Sequence, residues 1–379
     1  MKSSRGSEAW PNNAATVDPA TKTRSYAVSA YGVPSLRRPN VQVLTEAKTH
    51  KVILEKTAAG HRATGVQVVT KGQVQTFSAT KEIILAAGVF NTPKLLELSG
   101  IGQKELLEKN DIPVKINLPG VGENLQDHHM TGVSYEVVDG VITGDPPMRQ
   151  DPEALAAAQE QYEKYRAGAF TIGGIQSYTF MPTPDSTPGN LLDSHPPNPE
   201  NEAYYNIVRS IVEGGRSFAG TQFLPQNFVS LGCLLSQPFS RGASHISSPN
   251  VDAMPDIDPR LLSHLADLDI MAHHVQNLEK LRKTKELAAF LKPDAHKIGE
   301  LEGAKKYTRD TATTTYHCCG TAAMFPRDKG GVVDINLIVY GTENLGVVDA
   351  SIFPLIPRGN ILSSVYAVAE KAAHIIKSS

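Results

Sequence analysis

At 379 residues the chain is long enough for two domains or one large one with a sizeable core. Its 37 Lys+Arg nearly cancel its 39 Asp+Glu, so no basic excess points to nucleic acid, and its longest apolar runs are too short for a bilayer-spanning helix. Its 3 cysteines, Cys233, Cys318 and Cys319, do not make a disulfide framework.

The N-terminal MKSSRGSEAWPNN lacks an apolar core segment, so no signal peptide is visible and no cellular location follows. Residues 1–40, rich in Ser, Asn, Pro and Gly, read as a loop. Four runs of β type follow, at 40–47, 50–56, 63–70 and 73–79, separated by Gly-containing turns; they predict an antiparallel meander. KEIILAAG (81–88) carries a continuous apolar run, the pattern of a parallel strand covered on both faces. Gly88 then gives a turn, and Thr92-Pro93 predicts a helix N-cap and first helical residue, with Leu95, Leu96 and Leu98 on the helix and a stop near Gly100. QKELLEKN (103–110) predicts a second short helix ending at Asn110.

Further along, 152–168 predicts a helix, and 181–205 a long loop of the kind that forms lids or binding surfaces. An amphipathic pattern returns at 264–291. The chain closes with a strand (NLGVVDAS), a proline-stiffened elbow (IFPLIPRGN) and a helix over 361–377.

Several residues could carry chemistry. Asp349 stands at the carboxyl end of a short strand, where open α/β sheets bind ligands. Asn360 precedes the last helix; asparagine is a good cap, and a helix N-terminus can face an anionic group. TYHCCGTAAM (315–324) sets His317 beside Cys318 and Cys319. A zinc reading is poor, because adjacent cysteines point to opposite faces of an extended chain and no further ligand pair is spaced to help. His128 and His129, in ENLQDHH, read as structural loop residues, since adjacent histidines rarely converge on one ion. No metal is expected.

Taken together and in order, four stretches resemble one family, the glucose–methanol–choline (GMC) FAD-dependent oxidoreductases: GVFNTPKLLELSGIG (88–102), VGENLQDHH (121–129), SQPFSRGASHISSPN (236–250), and TYHCCGTAAM with the closing NLGVVDASIFPLIPRGNILSSVYAVAEKAAHII. Val89 departs from the small residue usual in the first of them, and Cys318 stands where a proline commonly follows the histidine, although the spacing to Gly320-Thr321 survives.

The resemblance implies an α/β (α+β) fold. A Rossmann-like FAD-binding domain (1–129 and 306–379) would carry an inserted antiparallel-sheet substrate domain (130–305). It implies FAD as cofactor, a small alcohol as substrate, and O2 or another acceptor reoxidising the flavin. By the same resemblance His317 is the catalytic histidine facing flavin N5, and Asn360 the second catalytic position. Thr49, Ala87, Gly88, Asp349, Ala350, Asn360 and Ile361 line the cofactor, and Cys318 and Cys319 are small packing residues. The family's opening strand, GxGxxG turn and helix do not occur before KEIILAAG, so the FAD-binding domain is expected to be incomplete and residue 1 to match an internal point of a full-length member. A rival reading is a truncated, non-catalytic relative that binds no flavin; the pairing of His317 with Asn360 favours the enzyme.

Overall fold

The structure is a computed structural model, and it describes residues 8–10, 16–171, 178–181, 195, 202, 217–220, 227–293 and 298–378. A first strand, β1 (Glu8–Trp10), is followed by an exposed helical segment, Val28–Ser35. Then β2 (Ala47–Lys56), β3 (His61–Thr70) and β4 (Gln73–Ser78) form a three-stranded antiparallel meander.

The run at 40–47 is a correction: residues 41–46 form no strand, Val43 and Leu44 are exposed, and Glu46 takes φ +52°, which breaks the extended chain just before β2. Within β2 the buried positions Val52 and Leu54 alternate with more exposed neighbours, as one covered face requires.

Strand β5 (Ile83–Leu85) leads to helix α1 (Asn91–Leu98) and the short α2 (Lys104–Lys109). The expected N-cap at Thr92 is also corrected. Phe90 caps α1, while Thr92 lies inside the helix with its hydroxyl turned to other work, described below. Buried Leu95, Leu96 and Leu98 fix α1 in the core. The Ser99 hydroxyl just after it accepts from the Val52 N–H at 2.8 Å, tying α1 to β2.

The next strand, β6 (His129–Glu136), shows strict buried/half-buried alternation. After helix α3 (Pro152–Tyr165), β7 (Tyr178–Met181), β8 (Ser217–Gly220) and β9 (Phe228–Leu234) complete most of a six-stranded antiparallel sheet. Most of the loop expected at 181–205 lies outside the described residues. Helix α4 (Leu265–Arg282) buries Ile270, Met271, Val275 and Leu278 against this sheet, in one core cluster with Val133 and Tyr135 of β6. After α5 (Leu301–Thr311), the two-residue β10 (Thr313–Thr314) pairs with β6 at Met130 and His129. The sheet order is thus β1-β7-β8-β9-β6-β10.

Finally β11 (Leu345–Val347) pairs in parallel with β5, with Leu345, Gly346 and Val347 opposite Ile83, Ile84 and Leu85, and helix α6 (Leu362–Ser378) ends the chain. Ile83 and Leu85 are buried, but Ile84 is 39% exposed, so β5 is covered on one face only. The cross-strand partner of Ile84 is Gly346, which has no side chain to shield it. Among the described residues no helix is long and apolar enough to cross a membrane.

Candidate active site

His317 enters the site from β10. Between them Tyr316 adopts φ +61°, and this left-handed turn separates the pairing of Thr313–Thr314 with β6 from the extended chain that follows. A single carboxylate anchors the turn. Asp127 Oδ1 accepts from the His317 backbone N–H at 3.0 Å and from the Thr315 hydroxyl at 3.3 Å, while Oδ2 accepts from the Thr314 hydroxyl and, at 3.4 Å, from the Cys318 thiol. Asp127 is itself buried, so these donors stand in for the water it has lost.

The imidazole of His317 meets a second one. His128 Nδ1 lies 2.9 Å from His317 Nδ1, with the rings nearly perpendicular at 89°. Thr315 Oγ1 is 3.1 Å from the same His317 atom, and it donates to the His128 carbonyl at 2.9 Å. His128 Nε2 lies 3.1 Å from the Ser236 carbonyl. Burial pushes His128 down to about 4, with the neighbouring His317 adding to the effect. Burial also lowers His317, against a smaller opposing pull from Asp127, so its imidazole is neutral at neutral pH.

Burial keeps both neighbouring cysteines in the thiol form. Burial raises Cys318 to about 12, and Cys319 is fully buried among Phe353, Ile356 and Ile361.

Beyond His317 the chain is stitched to two other segments. Gln126 and Cys319 exchange backbone hydrogen bonds, each 2.9 Å. Gly320 N–H donates to Ala350 O at 3.2 Å and Ala322 N–H to Ser351 O at 2.8 Å. The Gln126 side chain spans the elbow, its Nε2 donating to Pro354 O at 3.1 Å and its Oε1 accepting from Ile356 N–H at 3.1 Å. One step further, Arg358 Nε donates to Gln237 Oε1 at 3.0 Å. Ser236 and Gln237, adjacent in sequence, therefore hold His128 on one side and the approach to Asn360 on the other. Asn360 itself is exposed and Ile361 is buried, immediately ahead of α6.

Apart from Asn360 and Ile361, the expected cofactor residues fall into two places. At the carboxyl ends of the parallel strands β5 and β11, Asp349 Oδ2 accepts from the Gly88 N–H at 3.0 Å and the Thr92 hydroxyl at 2.6 Å, and Oδ1 from Ser351 N–H at 2.8 Å. Thr92 in turn accepts from the Ala87 N–H at 3.2 Å. Ala87, Gly88, Asp349 and Ala350 are thus one assembly. Thr49 lies apart from it, half-buried on β2 beside a register shift.

The assembly leaves room for a ligand beside its backbone. Ala87 is exposed, Gly88 takes φ +84°, and a Cβ built on Gly88 would meet nothing within 4 Å, so backbone lies open at the strand ends where open α/β sheets bind ligands. Sequence reasoning missed Asp127, Thr315 and the pairing of His128 with His317. The only signal was an acid and a histidine side by side in ENLQDHH, and nothing local says which way either turns.

Comparison with known proteins places the chain in a family. Profiles described as GMC oxidoreductase match residues 5–130 and 238–369. The chain is 32% identical over 403 aligned positions to Dehydrogenase citC of Monascus ruber, covering 94% of this chain and 64% of that one. It is 32% identical over 375 positions to Oxidoreductase cicC of Emericella nidulans, covering 95% and 60%. The chain therefore spans somewhat under two thirds of the length of these curated relatives. Among solved structures, an FAD-dependent oxidoreductase from Chaetomium thermophilum superposes with a TM-score of 0.85 at 27% identity, covering 96% of this chain and 66% of that one. A fungal aryl-alcohol oxidase superposes at 0.82 and 27% identity, covering 95% and 65%. The chain belongs to the GMC oxidoreductase family, and FAD is that family's cofactor.

Proposed function

We propose that this protein takes part in the FAD-dependent oxidation of the CH–OH group of a small alcohol, with His317 as the base. The observation that supports this most directly is the state of His317: a half-buried, neutral imidazole, fixed through its own backbone N–H to a buried carboxylate. A base of that kind is ready to take a proton at neutral pH, and its position is set before substrate arrives.

FAD, when bound, supplies the acceptor for the hydride that leaves the carbinol carbon. Ala87, Gly88, Asp349, Ala350, Ile361 and, from β2, Thr49 are the residues proposed to hold it. The Asp349 carboxylate is already engaged by Gly88, Thr92 and Ser351, so its proposed part is to shape the backbone around the cofactor. His317 takes the hydroxyl proton: the O–H bond breaks, an N–H bond forms on the ring, and the electron pair left on oxygen drives loss of the hydride. Asn360, exposed two residues ahead of the last helix, is proposed to donate its side-chain amide to the substrate oxygen and orient it.

The relatives described as dehydrogenases and the neighbour described as an aryl-alcohol oxidase support an alcohol substrate, with O2 or another oxidant as the final acceptor. The test combines spectroscopy with turnover. The protein, supplied with FAD, should show a flavin absorbance band that bleaches anaerobically when a suitable alcohol is added. His317→Ala should retain the band and lose the bleaching. Equal bleaching rates in both proteins would refute the assignment of His317.

A further inference from the structure

We propose that His128 and Thr315 are positioning residues that hold His317 as the Nδ1–H tautomer, leaving Nε2 as its open lone pair. The direction of the hydrogen bonds carries the argument. A backbone carbonyl can only accept, so the contact of His128 Nε2 with Ser236 O at 3.1 Å requires a proton on His128 Nε2. His128 is 1% exposed, and burial holds it neutral with its pKa at about 4. A neutral imidazole carries one ring proton, so His128 Nδ1 is a bare lone pair. His317 Nδ1 stands 2.9 Å from that lone pair, and two lone pairs do not approach so closely without a proton between them. The proton therefore belongs to His317 Nδ1.

Thr315 fits the same answer. Its hydroxyl proton has only acceptors to choose from on the protein side away from His317, the His128 carbonyl at 2.9 Å and Asp127 Oδ1 at 3.3 Å. Its oxygen is left as a second acceptor 3.1 Å from His317 Nδ1. The proton on His317 Nδ1 is thus shared between His128 and Thr315. The ring can take up a further proton only at Nε2.

The catalytic consequence rests on the proposed role of His317: Nε2 is the atom that receives the hydroxyl proton. The resulting imidazolium keeps both its protons, because passing the Nδ1 proton on would place a charge on the more deeply buried His128. The carbonyl of Ser236, 108 residues from His128 in sequence, thereby sets the tautomer of the base through one intervening ring.

Long-range proton–nitrogen correlation spectra of the histidine rings test this on the full chain, with His317 assigned by its loss in His317→Ala. The expected pattern for His317 is a protonated Nδ1 and an unprotonated Nε2. Gln at position 128 keeps a donor for the Ser236 carbonyl but no acceptor at the Nδ1 position, whereas Asn keeps an acceptor there. The double variant H128Q/T315V should lose the Nδ1–H pattern and, in the flavin-loaded protein, lower the rate of alcohol-dependent bleaching by ~100-fold. H128N should keep both the pattern and most of the rate.

A protonated Nε2 in the unaltered protein would overturn the proposal, as would an unchanged pattern in H128Q/T315V. The spectrum of the unaltered protein decides the matter even if the double variant does not fold. An Nδ1–H pattern together with full activity in His317→Ala would remove His317 as the base while leaving the ring pairing intact.

Discussion

Asp127 holds the backbone of His317, its Oδ1 accepting from the His317 N–H at 3.0 Å, and the same carboxylate gathers the Thr314 and Thr315 hydroxyls and the Cys318 thiol. Asp127→Ala would leave the half-buried His317 N–H and Thr314 hydroxyl without this acceptor, at ~1–3 kcal/mol each where no water enters, while Thr315 keeps the His128 carbonyl. The expected outcome is a clear fall in melting temperature and loss of the ordered turn at Tyr316. Asp127→Asn, which keeps one acceptor oxygen, should fall less. A thermal melt of the three proteins checks this, and equal melting temperatures would mean that the carboxylate does not hold the turn.

The activity–pH profile follows from the burial of His317. A base works only when unprotonated, and this imidazole is lowered from the ordinary 6.5. The acidic limb of kcat/KM for a neutral alcohol is therefore expected below pH 6.5, with full activity retained as pH rises through 7. A limb at or above the ordinary histidine value would contradict the neutral-base reading.

Stability should vary with pH on both sides of neutrality. His245 sits between two carboxylates, with Nδ1 2.7 Å from Glu97 Oε1 and Nε2 3.1 Å from Glu123 Oε1. Burial works against its charge, but the two acids outweigh it and raise it to about 9. A histidine raised on folding contributes stability that is complete below 6.5 and lost as pH climbs through about 9. His128 and His274 are lowered by burial to about 4, so on the acidic side the unfolded chain takes up protons first, and stability falls as pH drops from 6.5 towards 4. Denaturant midpoints measured across pH should therefore peak near neutrality. Glu97→Gln should bring the alkaline decline to lower pH.

Two glycines at positive φ should respond differently to alanine. At Gly320, φ +100°, a Cβ would lie 2.4 Å from the Asn124 carbonyl oxygen, so backbone must move and the Gln126–Cys319 pairing beside it is disturbed. At Gly88, φ +84°, a Cβ meets nothing, and only the conformational cost of ~1–2 kcal/mol remains. Gly320→Ala should therefore lower the melting temperature of the FAD-free chain much more than Gly88→Ala. The Gly88 change should instead weaken FAD binding, read by flavin fluorescence titration, if open backbone at the strand ends is what the cofactor uses.

Much of this architecture could be read from local pattern. The meander from 50 onwards, the helices around Leu95 and Leu107, the amphipathic helix carrying Met271 and Val275, and the final helix all follow from periodicity. The misreadings are equally physical. NVQVLTEA has the composition of a strand, but Glu46 turns left-handed and the residues before it find no partner. IILAA suggests cover on both faces, but the cover available to Ile84 is set by Gly346, far away in sequence. At the site, His317 was singled out only by the family resemblance of the stretch ending in Gly320-Thr321. His128 was not, because its role depends on the Ser236 carbonyl and on the relative angle of two rings, and no run of neighbouring residues encodes either.

The contacts of Ser236 and Gln237 carry a mechanical implication. One short stretch of chain grips the imidazole pair with its carbonyl and the arginine of the opposite wall with its amide. A shift of this clasp would drag both segments together, so the spacing between His317 and Asn360, the proposed base and substrate anchor, is preserved or lost as a unit. Substitutions that loosen it should disturb substrate affinity and turnover in the same proportion, though neither residue need ever touch the alcohol.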